Sequence, residues 1–517
     1  MSDTHHESWG ANPVVEVEDR QLLQTLRWWD GFSVALAVPS FLLSAMGYTF
    51  ASLGTWGTVV FWTISMLIGA LMAFIYQEPA MMFPDKSGGI ALFANEGWKR
   101  YSTLLGPIAT FGYWFAWSGV LAINGFLIGN LIVAQWLPSL DTSAVDANGN
   151  PVNPDALNIF DGFGHINAAK LIGIACIALI WLVNTRGMRI GVNLTYVTGA
   201  LLLIPLAAVM FGGFLTGNFD SSRLTWTVTG TDGWQAGLVW LYLMGWSSYG
   251  VETVAAFGPE YKESHDIRKA LLSASGFSLL IYFLVPLGVA GTLTSDEIAA
   301  GANGSYIVTV LDKVLGGGGG GQVLSSIALI LLIAGLLLAM NTATMDGSRA
   351  LYGIAREGLS VKWLGVLNKH HVPGRAMTVD AVFNILLLLI FDSNLVILAA
   401  SNLGYFICHI LALTAVLLLR KDRPNWPRPY KLNGFWLFMA GLLAVVNIIL
   451  VFFGIWRFDL TGYASGVTWF GISRELFLGP IILLISVGFY LYRRMGQDKL
   501  PFQARDLSEQ VPPKINA

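Results

Sequence analysis

The chain has 517 residues, of which 55% are hydrophobic and only 12% are charged, about half the charged share of an ordinary soluble protein. That composition cannot cover a soluble surface and predicts a membrane protein. The 30 Lys and Arg nearly balance the 32 Asp and Glu, which argues against nucleic acid as a partner. Cys176 and Cys408 lie in apolar runs and predict neither a disulfide framework nor a metal site.

Apolar runs of about 20 residues, the length needed to cross the hydrocarbon layer, recur along the chain. They predict an all-α membrane protein with twelve transmembrane helices, because continuous runs do not fit the alternating pattern of a membrane barrel. The transmembrane domain covers residues 28–494, between tails at 1–27 and 495–517. The predicted spans are 32–53, 55–76, 106–136, 168–184, 190–215, 234–257, 271–293, 323–344, 376–391, 394–419, 433–456 and 473–493.

The distribution of basic residues supports this arrangement. Twelve crossings that start from an inside N-terminus place 25 of the 30 Lys and Arg in the inside loops and tails. The exceptions, all assigned to outside loops, are Lys170, Arg223, Lys313, Arg457 and Arg474. The sequence therefore predicts a multi-pass protein of the cell membrane with both termini in the cytoplasm.

Two predicted helices contain interruptions. Pro39 lies inside the first helix and predicts that it kinks or opens between about Val38 and Gly47. The sixth helix contains the polar run Trp-Ser-Ser-Tyr-Gly-Val-Glu-Thr at 246–253. Because these helices begin successive blocks of five, the pattern predicts a five-plus-five inverted-repeat core with two extra helices. The alternative for the first interruption is a kink that serves packing alone.

Glu252, in the polar run of the sixth helix, is the leading candidate for function. A charged carboxylate inside a membrane costs several kcal/mol unless it is paired, hydrated or protonated. Glu252 is therefore predicted to couple to substrate or ion, with capping of freed backbone N–H groups as the alternative. Trp246 and Tyr249 are candidates for an aromatic lid over the substrate, although core or lipid packing is the commoner fate of such residues. The predicted substrate-binding residues are Ser40, Ser44, Trp246, Ser247, Tyr249, Gly250 and Glu252.

Short motifs follow one another in order along the chain. They are Glu78 with Phe83-Pro84 and Gly88-Gly89, then Asn184-x-x-Gly187, the run at 246–253, the acidic exit at 260–264, Gly347-Ser348-Arg349-Ala350-Leu351-Tyr352, and the basic turn from Arg420 to Tyr430. Together they resemble the amino acid–polyamine–organocation family of transporters, in particular the bacterial-type amino acid permeases. The helix-six run resembles the arginine/agmatine antiporter branch.

The resemblance implies a transporter without cofactor that binds an amino acid or small amine between helices one and six and works by alternating access. It implies that the helix-one break contacts the substrate carboxylate, that Trp246 acts as a gate, and that Glu252 lies in the unwound part of helix six. The segments around Gly88, Arg349 and Arg356 would then hold the inner gate.

Two departures from the family pattern bear on substrate and coupling. Residues 40–44 replace the usual Gly-x-Gly of helix one, and their side chains would crowd a carboxylate cradle. Residues 191–214 contain no Lys, Arg or His, so the helix-five cation of several branches is missing. Uptake is therefore predicted to be stimulated by sodium or driven by counter-substrate, and only poorly by a pH gradient.

Two other features bear on the coupling ion. Thr342 and Thr344 are speculative sodium ligands that would act with helix-one carbonyls, and hydrogen bonding to their own helix is the alternative. His409 is either a proton relay or an ordinary hydrogen-bonded core residue.

The predicted function is secondary transport of amino acids or closely related small amines. The alternatives are a polyamine or amine importer or exchanger, and a membrane sensor that transports nothing. An integral membrane enzyme is disfavoured, because neither a His or Cys cluster nor paired intramembrane acids are evident in the sequence. The predicted partners are the substrate, membrane lipid, and a coupling sodium ion, proton or counter-substrate.

Overall fold

A computed structural model describes residues 24–140, 166–301, 304–316, 319–391, 394–463 and 468–508. The predicted all-helical architecture is confirmed. The α-helices are α1 (Trp28–Ala35), α2 (Val38–Met82), α3 (Gly89–Trp98), α4 (Leu105–Trp136), α5 (Ala168–Asn184), α6 (Met188–Thr216), α7 (Gly230–Ser248), α8 (Ser264–Thr292), α9 (Ser295–Ala300), α10 (Tyr306–Leu315), α11 (Gly319–Arg356), α12 (Gly374–Ile390), α13 (Asn394–Asp422), α14 (Gly434–Trp456) and α15 (Leu478–Leu491).

Shorter elements connect these helices or extend them. A 3₁₀-helix at Tyr249–Glu260 continues α7, and a π-helix at Tyr492–Gln497 continues α15. Short 3₁₀ turns lie at Pro138–Leu140, Ser221–Arg223, Lys362–Gly365, Phe458–Thr461 and Arg474–Phe477. Strands β1 (Thr468–Trp469) and β2 (Ile472–Ser473) form a small antiparallel hairpin in which Thr468 pairs with Ser473.

Within the described residues, eight helical stretches are long and apolar enough to cross a membrane. The first contains two predicted spans, which are separated by a turn at Gly54, where φ is 71°. The fourth, sixth and ninth predicted spans fall on α5, α7 and α12, which do not reach that length or apolarity. The eight stretches are Trp28–Met82, Leu105–Trp136, Asn193–Thr216, Ser264–Thr292, Gly319–Arg356, Asn394–Asp422, Gly434–Trp456 and Leu478–Gln497.

The interruption of the first helix lies slightly upstream of its predicted position. α1 ends at Ala35 and α2 begins at Val38, so the break is at residues 36–37 and the segment from Val38 to Gly47 is regular helix. Pro39 is near the first position of α2, where a missing N–H is tolerated. The hydrogen bond that Pro39 cannot donate is the one to the carbonyl of Ala35, which explains why the helix opens before the proline.

The sixth predicted helix changes its geometry inside the predicted polar run. The α-helix ends at Ser248, and the 3₁₀-helix Tyr249–Glu260 follows, with a kink at Phe257, where φ is −92° and ψ is 15°. Runs of 3₁₀ geometry this long are uncommon and mark strain or a functional hinge. Glu252 lies in the first turn of this tightened segment.

The helices α4 and α13 cross at close range. A Cβ atom on Gly112 of α4 would lie 2.4 Å from the carbonyl oxygen of Gly404 in α13. Only glycine permits this backbone approach. The next residues along the two helices, Tyr113 and Tyr405, are thereby brought to the same place in the core.

The connecting loops form two separate groups. The predicted inside loops are joined to one another by ion pairs such as Lys86 with Glu357 and Arg423 with Glu96. The predicted outside loops also meet one another, and there Arg223 donates to the carbonyls of Gly291 and Thr292. This grouping agrees with the assignment of alternate loops to opposite sides.

The C-terminal segment packs against the transmembrane domain over its described part. Arg493 is buried and donates to Asp498 at 2.6 Å and to the carbonyl of Ser360 at 3.1 Å. Thr103 contacts the same segment, because its backbone N–H donates to the carbonyl of Ala504. Residues 495–508, the described part of the predicted tail 495–517, therefore pack against the rest of the protein. The rest of that tail and nearly all of tail 1–27 lie outside the described residues.

Candidate functional site

Glu252 lies at the centre of a buried polar cluster. Its Oε1 accepts hydrogen bonds from the Tyr405 hydroxyl at 2.7 Å and from the Trp117 indole N–H at 3.1 Å. The Tyr113 hydroxyl lies 3.1 Å from Oε2. Tyr113 and Trp117 are one turn apart on α4, and Tyr405 comes from α13. The carboxylate is therefore surrounded by neutral donors from two helices.

Asp346 is connected to Glu252 through the same tyrosine. The Tyr113 hydroxyl lies 2.7 Å from Oδ2 of Asp346, a fully buried residue of α11. Two buried acids thus share one phenol, although the sequence showed no paired acids. The reason is their separation along the chain, since Tyr113 is 139 residues from Glu252 and 233 from Asp346.

Asp380 of α12 is a third buried acid near this cluster. Its Oδ1 accepts a hydrogen bond from the indole N–H of Trp114. Asn384, one turn further along α12, donates to the Ser118 hydroxyl at 2.8 Å and accepts from the backbone N–H of Ala122. These hydrogen bonds join α12 to α4. Asp380 therefore belongs to the contact between these two helices rather than to the Glu252 cluster.

Among the described residues, neither of the two bridged acids forms an ion pair with a lysine or arginine. Within the described part of the chain, the hydrogen bonds to Glu252 and Asp346 come from neutral donors. Arg349 is one turn from Asp346, but its guanidinium binds both carboxylate oxygens of Glu260 and the carbonyl of Met345. A cation entering from outside the protein would therefore find carboxyl groups without a charged partner.

Aromatic rings pack beside this cluster. Trp246 is buried, donates its indole N–H to the carbonyl of Ala116 at 3.1 Å and lies 5.7 Å from the ring of Phe41. Phe41 is 5.6 Å from Trp117 in an edge-to-face arrangement. Gly250 lies against Phe41 and Trp117. Trp246 therefore faces Phe41 of α2, in the predicted helix one, and Ala116 of α4. It does not face lipid, and this is the placement that a lid requires.

The other predicted substrate-binding residues have different surroundings. Ser247 shares a hydrogen bond of 2.6 Å with Tyr282, whose hydroxyl donates to the carbonyl of Val38 and so joins the helix-six break to helix one. The Tyr249 ring packs against Phe406 and His409, next to α13. These contacts hold the interrupted helices together.

Ser40 and Ser44, the two helix-one candidates, each have a partner away from Glu252. Ser40 donates to the carbonyl of Ala37 in the helix-one break, and Ser44 donates to Asn124 at 2.7 Å. The substrate contacts proposed for both residues stay a prediction.

The two threonines proposed as sodium ligands behave differently. The Thr342 hydroxyl donates to the carbonyl of Val34 at 3.2 Å, so α11 meets helix one at the expected place. Thr344 donates to the carbonyl of Met340 in its own helix, as the alternative interpretation held. His409 is hydrogen-bonded at Nδ1 to Tyr76 at 2.8 Å, inside the core. A sodium site stays a prediction.

A buried ion pair lies at the C-terminal end of the 3₁₀-helix Tyr249–Glu260. Arg349 binds Glu260 with both side chains almost fully buried, and its guanidinium lies 5.1 Å from the ring of Phe257. The backbone carbonyl of Glu260 accepts from Thr25 and Leu26, and that of Ala256 accepts from Gly88. The segments at Gly88 and Arg349 thus both contact the C-terminal half of the 3₁₀-helix, and their role as an inner gate stays a prediction.

A second ionic cluster surrounds Glu96 of α3, outside the candidate membrane spans. Glu96 accepts from Lys86 at 2.8 Å and pairs with Lys99 and Arg423. Burial alone would raise the pKa of Glu96, but the charges of Lys86, Lys99 and Arg423 outweigh it and hold the pKa well below its usual value. Glu78 has a parallel role and binds Arg420 and Arg428.

The comparison with known proteins agrees with this geometry. The family model described as "Amino acid permease" matches residues 26–473. The chain belongs to this family. The predicted family resemblance and the predicted transport of amino acids or related amines are thereby confirmed, and the permease is a multi-pass membrane protein.

Several characterised relatives are antiporters. The permease is 24% identical over 460 residues to the arginine/ornithine antiporter ArcD1 of Lactococcus lactis, which covers 84% of this chain and 77% of the relative. It is 22% identical over 462 residues to the arginine/agmatine antiporter of Chlamydia felis, covering 85% and 84%. The cadaverine/lysine antiporter of Escherichia coli is 23% identical over 345 residues, covering 66% and 68%.

Sequence reasoning identified the break and Glu252 but missed the partners that complete the permease site. Asp346 directly precedes the motif that begins at Gly347, and nothing in the local sequence marks it as a partner of Glu252. Tyr113 and Trp117 had a detectable signal, because polar-tipped aromatics four residues apart share one face of a helix. That signal does not reveal which other helix the face meets.

Proposed function

We propose that the permease is a secondary transporter for cationic amino acids or the amines related to them, and that an ammonium or guanidinium group of the substrate binds at Glu252. The substrate enters between helix one and helix six, and access alternates between the two membrane faces. The proposal includes the topology of the permease: it crosses the cell membrane twelve times, has an inverted-repeat core, and has both termini in the cytoplasm.

The bridged acid pair is the observation that carries the proposal. Glu252 and Asp346 are buried, and among the described residues their hydrogen bonds come from neutral groups and neither acid forms an ion pair with a lysine or arginine. A buried carboxylate without a cation is costly, and a cationic substrate removes that cost. The faces of Trp117, Trp246 and Phe41 add cation–π attraction for the same kind of group.

The helix-one break supports amines as well as amino acids. Phe41 occupies the face where a glycine-lined cradle would receive a substrate carboxylate. A carboxylate on the substrate is therefore not required for binding. The substrates in the names of the antiporter relatives, arginine, ornithine, agmatine, lysine and cadaverine, all carry a side-chain or terminal cation.

The layout of the helices supports alternating access. The interruptions at residues 36–37 and after Ser248 lie at the start of two successive blocks of five predicted helices. The loops with most of the basic residues meet in one ionic layer, which is the cytoplasmic face in this proposal. The opposite group of loops then faces outward.

Exchange in proteoliposomes tests the proposal. Vesicles loaded with arginine should take up labelled arginine, and external ornithine, lysine, agmatine or cadaverine should compete while leucine and glutamate should not. Parallel vesicles with and without sodium, and with and without internal arginine, separate sodium coupling from exchange. Exchange that prefers leucine or glutamate would contradict the proposed cationic substrate.

A further inference from the structure

The Tyr113 hydroxyl has fewer protons than its two contacts require. A phenol offers one O–H donor, and an ionised carboxylate can only accept. The phenol oxygen lies 3.1 Å from Oε2 of Glu252 and 2.7 Å from Oδ2 of Asp346. If both acids were ionised, one of these contacts would bring two oxygens together with no hydrogen between them. One of the two carboxyl groups must therefore carry a proton.

Burial points to the same protonation state. Glu252 and Asp346 are at most 1% exposed, so water cannot screen two negative charges there. Two carboxyl groups that share one site normally hold one proton between them. That proton leaves the empty site with a single negative charge, and the Tyr405 and Trp117 donors stabilise this charge on Glu252.

The surroundings of the pair include several other polar, titratable or charged groups. They are Tyr113 and Trp117 of α4, Thr253 of the 3₁₀-helix, Arg349 of α11, Asp380 of α12, Tyr405 and Cys408 of α13, and Tyr76 of α2. Arg349 is bound to Glu260, and Asp380 is bound to Trp114. Neither of them replaces the proton.

We propose that Glu252 and Asp346 hold one exchangeable proton across Tyr113 and that a cationic substrate displaces it. On binding, the carboxyl O–H bond breaks and the proton leaves to bulk water. The Tyr113 hydroxyl then donates to one carboxylate, and the substrate ammonium or guanidinium donates to the other. The net charge of the site is −1 in both states. Asp346 is thereby a coupling residue, and the permease exchanges a proton for each substrate cation.

This proposal rests on the proposed function and differs from the expectation based on helix five. The missing base in residues 191–214 does not remove proton coupling, because a shared acid pair supplies the titratable site. A proton gradient should therefore drive the movement of cationic substrate in the opposite direction.

Calorimetry on the purified permease tests the proton directly. Arginine binding is measured near neutral pH in buffers that differ in ionisation enthalpy. The slope of the observed binding enthalpy against the buffer ionisation enthalpy gives the number of protons released. We expect about one proton released per arginine bound. Normal arginine binding without proton release would overturn the shared proton but keep the proposed function. Failure to bind any cationic amine would refute the proposed function and, with it, the displacement step.

Variants assign the proton to the bridge. Asp346→Asn keeps the shape, and its amide N–H can donate to the Tyr113 oxygen in place of the carboxyl proton, so the released proton should fall from about one to near zero while arginine still binds. Asp380→Asn removes another buried acid, outside the bridge, and should leave the proton count unchanged. If Asp346→Asn continues to release one proton, the assignment is wrong.

Infrared spectroscopy detects the shared proton without substrate. It therefore tests the bridge even if a variant no longer binds arginine. The empty permease should show the carbonyl band of a protonated carboxyl group, and this band should be lost in Asp346→Asn. Tyr113→Phe, which retains both acids and the ring, should shift the band because the bridging hydroxyl is gone. An unchanged band in both variants would contradict the bridge.

Discussion

Glu252 receives its three hydrogen bonds in a pattern that an amide can reproduce. Oε1 accepts from Tyr405 and Trp117, whereas Oε2 faces only Tyr113. A glutamine at this position can keep its oxygen at Oε1 and donate its N–H to the Tyr113 oxygen. The charge at residue 252 can therefore be removed without removing the hydrogen-bond network.

Glu252→Gln is accordingly expected to fold with nearly unchanged thermal stability and to lose arginine exchange by at least about 100-fold, since the loss of a charged hydrogen bond of about 3 kcal/mol corresponds to that factor. Exchange in proteoliposomes and thermal unfolding in detergent measure the two effects. Glu297→Gln removes a glutamate of the α9 segment, away from the site, and should transport normally. Wild-type exchange by Glu252→Gln would exclude a role for this charge.

Truncation of Trp246 should weaken substrate affinity. Its ring covers Phe41 and the helix-one side of the site, so Trp246→Ala should weaken arginine binding about 30-fold, which corresponds to roughly 2 kcal/mol of lost burial and cation–π attraction. Trp246→Phe should retain most of the affinity. Calorimetry measures both variants, and equal affinities for wild type and Trp246→Ala would show that the ring serves only packing.

At the scale of secondary structure, the site depends on where helices break and cross. The break in helix one was predicted within a few residues, because a proline has a local effect. The crossing of α4 and α13 at Gly112 and Gly404 was not predicted, because an isolated glycine in an apolar run does not indicate its partner helix. The crossing nevertheless decides where Tyr113 and Tyr405 meet Glu252.

Gly404→Ala tests the importance of this crossing. The added Cβ would lie 2.5 Å from the Cα of Gly112, so the helices must separate. We expect about 1–3 kcal/mol of destabilisation from overpacking and weaker arginine binding, because Tyr405 moves away from Glu252. Gly276→Ala in α8, where the added Cβ meets nothing within 4 Å, is the matched control. Equal stability and affinity for both variants would rule out a tight crossing.

At the scale of the whole molecule, buried ion pairs connect loops that lie far apart in the sequence. Glu260 binds Arg349, Glu78 binds Arg420 and Arg428, and Glu96 binds Arg423. Separation of the inner ends of the helices would require these pairs to rearrange. The ionic layer is therefore expected to stabilise one conformation of the transport cycle.

The Glu96 cluster has a defined pH dependence. Since the pKa of Glu96 is held below its usual value, the cluster contributes stability that is present above the ordinary Glu pKa of about 4.3 and is lost as pH falls through the lower folded value. Glu96→Gln should cost about 3 kcal/mol near neutral pH, because Arg423 remains buried without its partner. Denaturation in detergent at several pH values measures the difference, which should shrink only in strong acid.

Glu357→Gln is the matched control for this experiment. Glu357 also pairs with Lys86, but both side chains are 30% exposed, so its loss should cost about 1 kcal/mol or less. A cost for Glu96→Gln that stays constant into strong acid, or that equals the cost for Glu357→Gln, would contradict the low pKa of Glu96.

The sequence alone determined the membrane class, the all-helical architecture and the approximate positions of the two interruptions, and it singled out Glu252 as a candidate site residue. Each of these depends on local properties, namely hydropathy over one span, a proline, or an acid in an apolar run. The tertiary structure decided that Asp346 and Tyr113 join Glu252, that Trp246 faces helix one, and that Thr344 bonds to its own helix. These contacts depend on which helix faces pack together, and the apolar residues that drive insertion into lipid are too alike to encode that choice in one chain read alone.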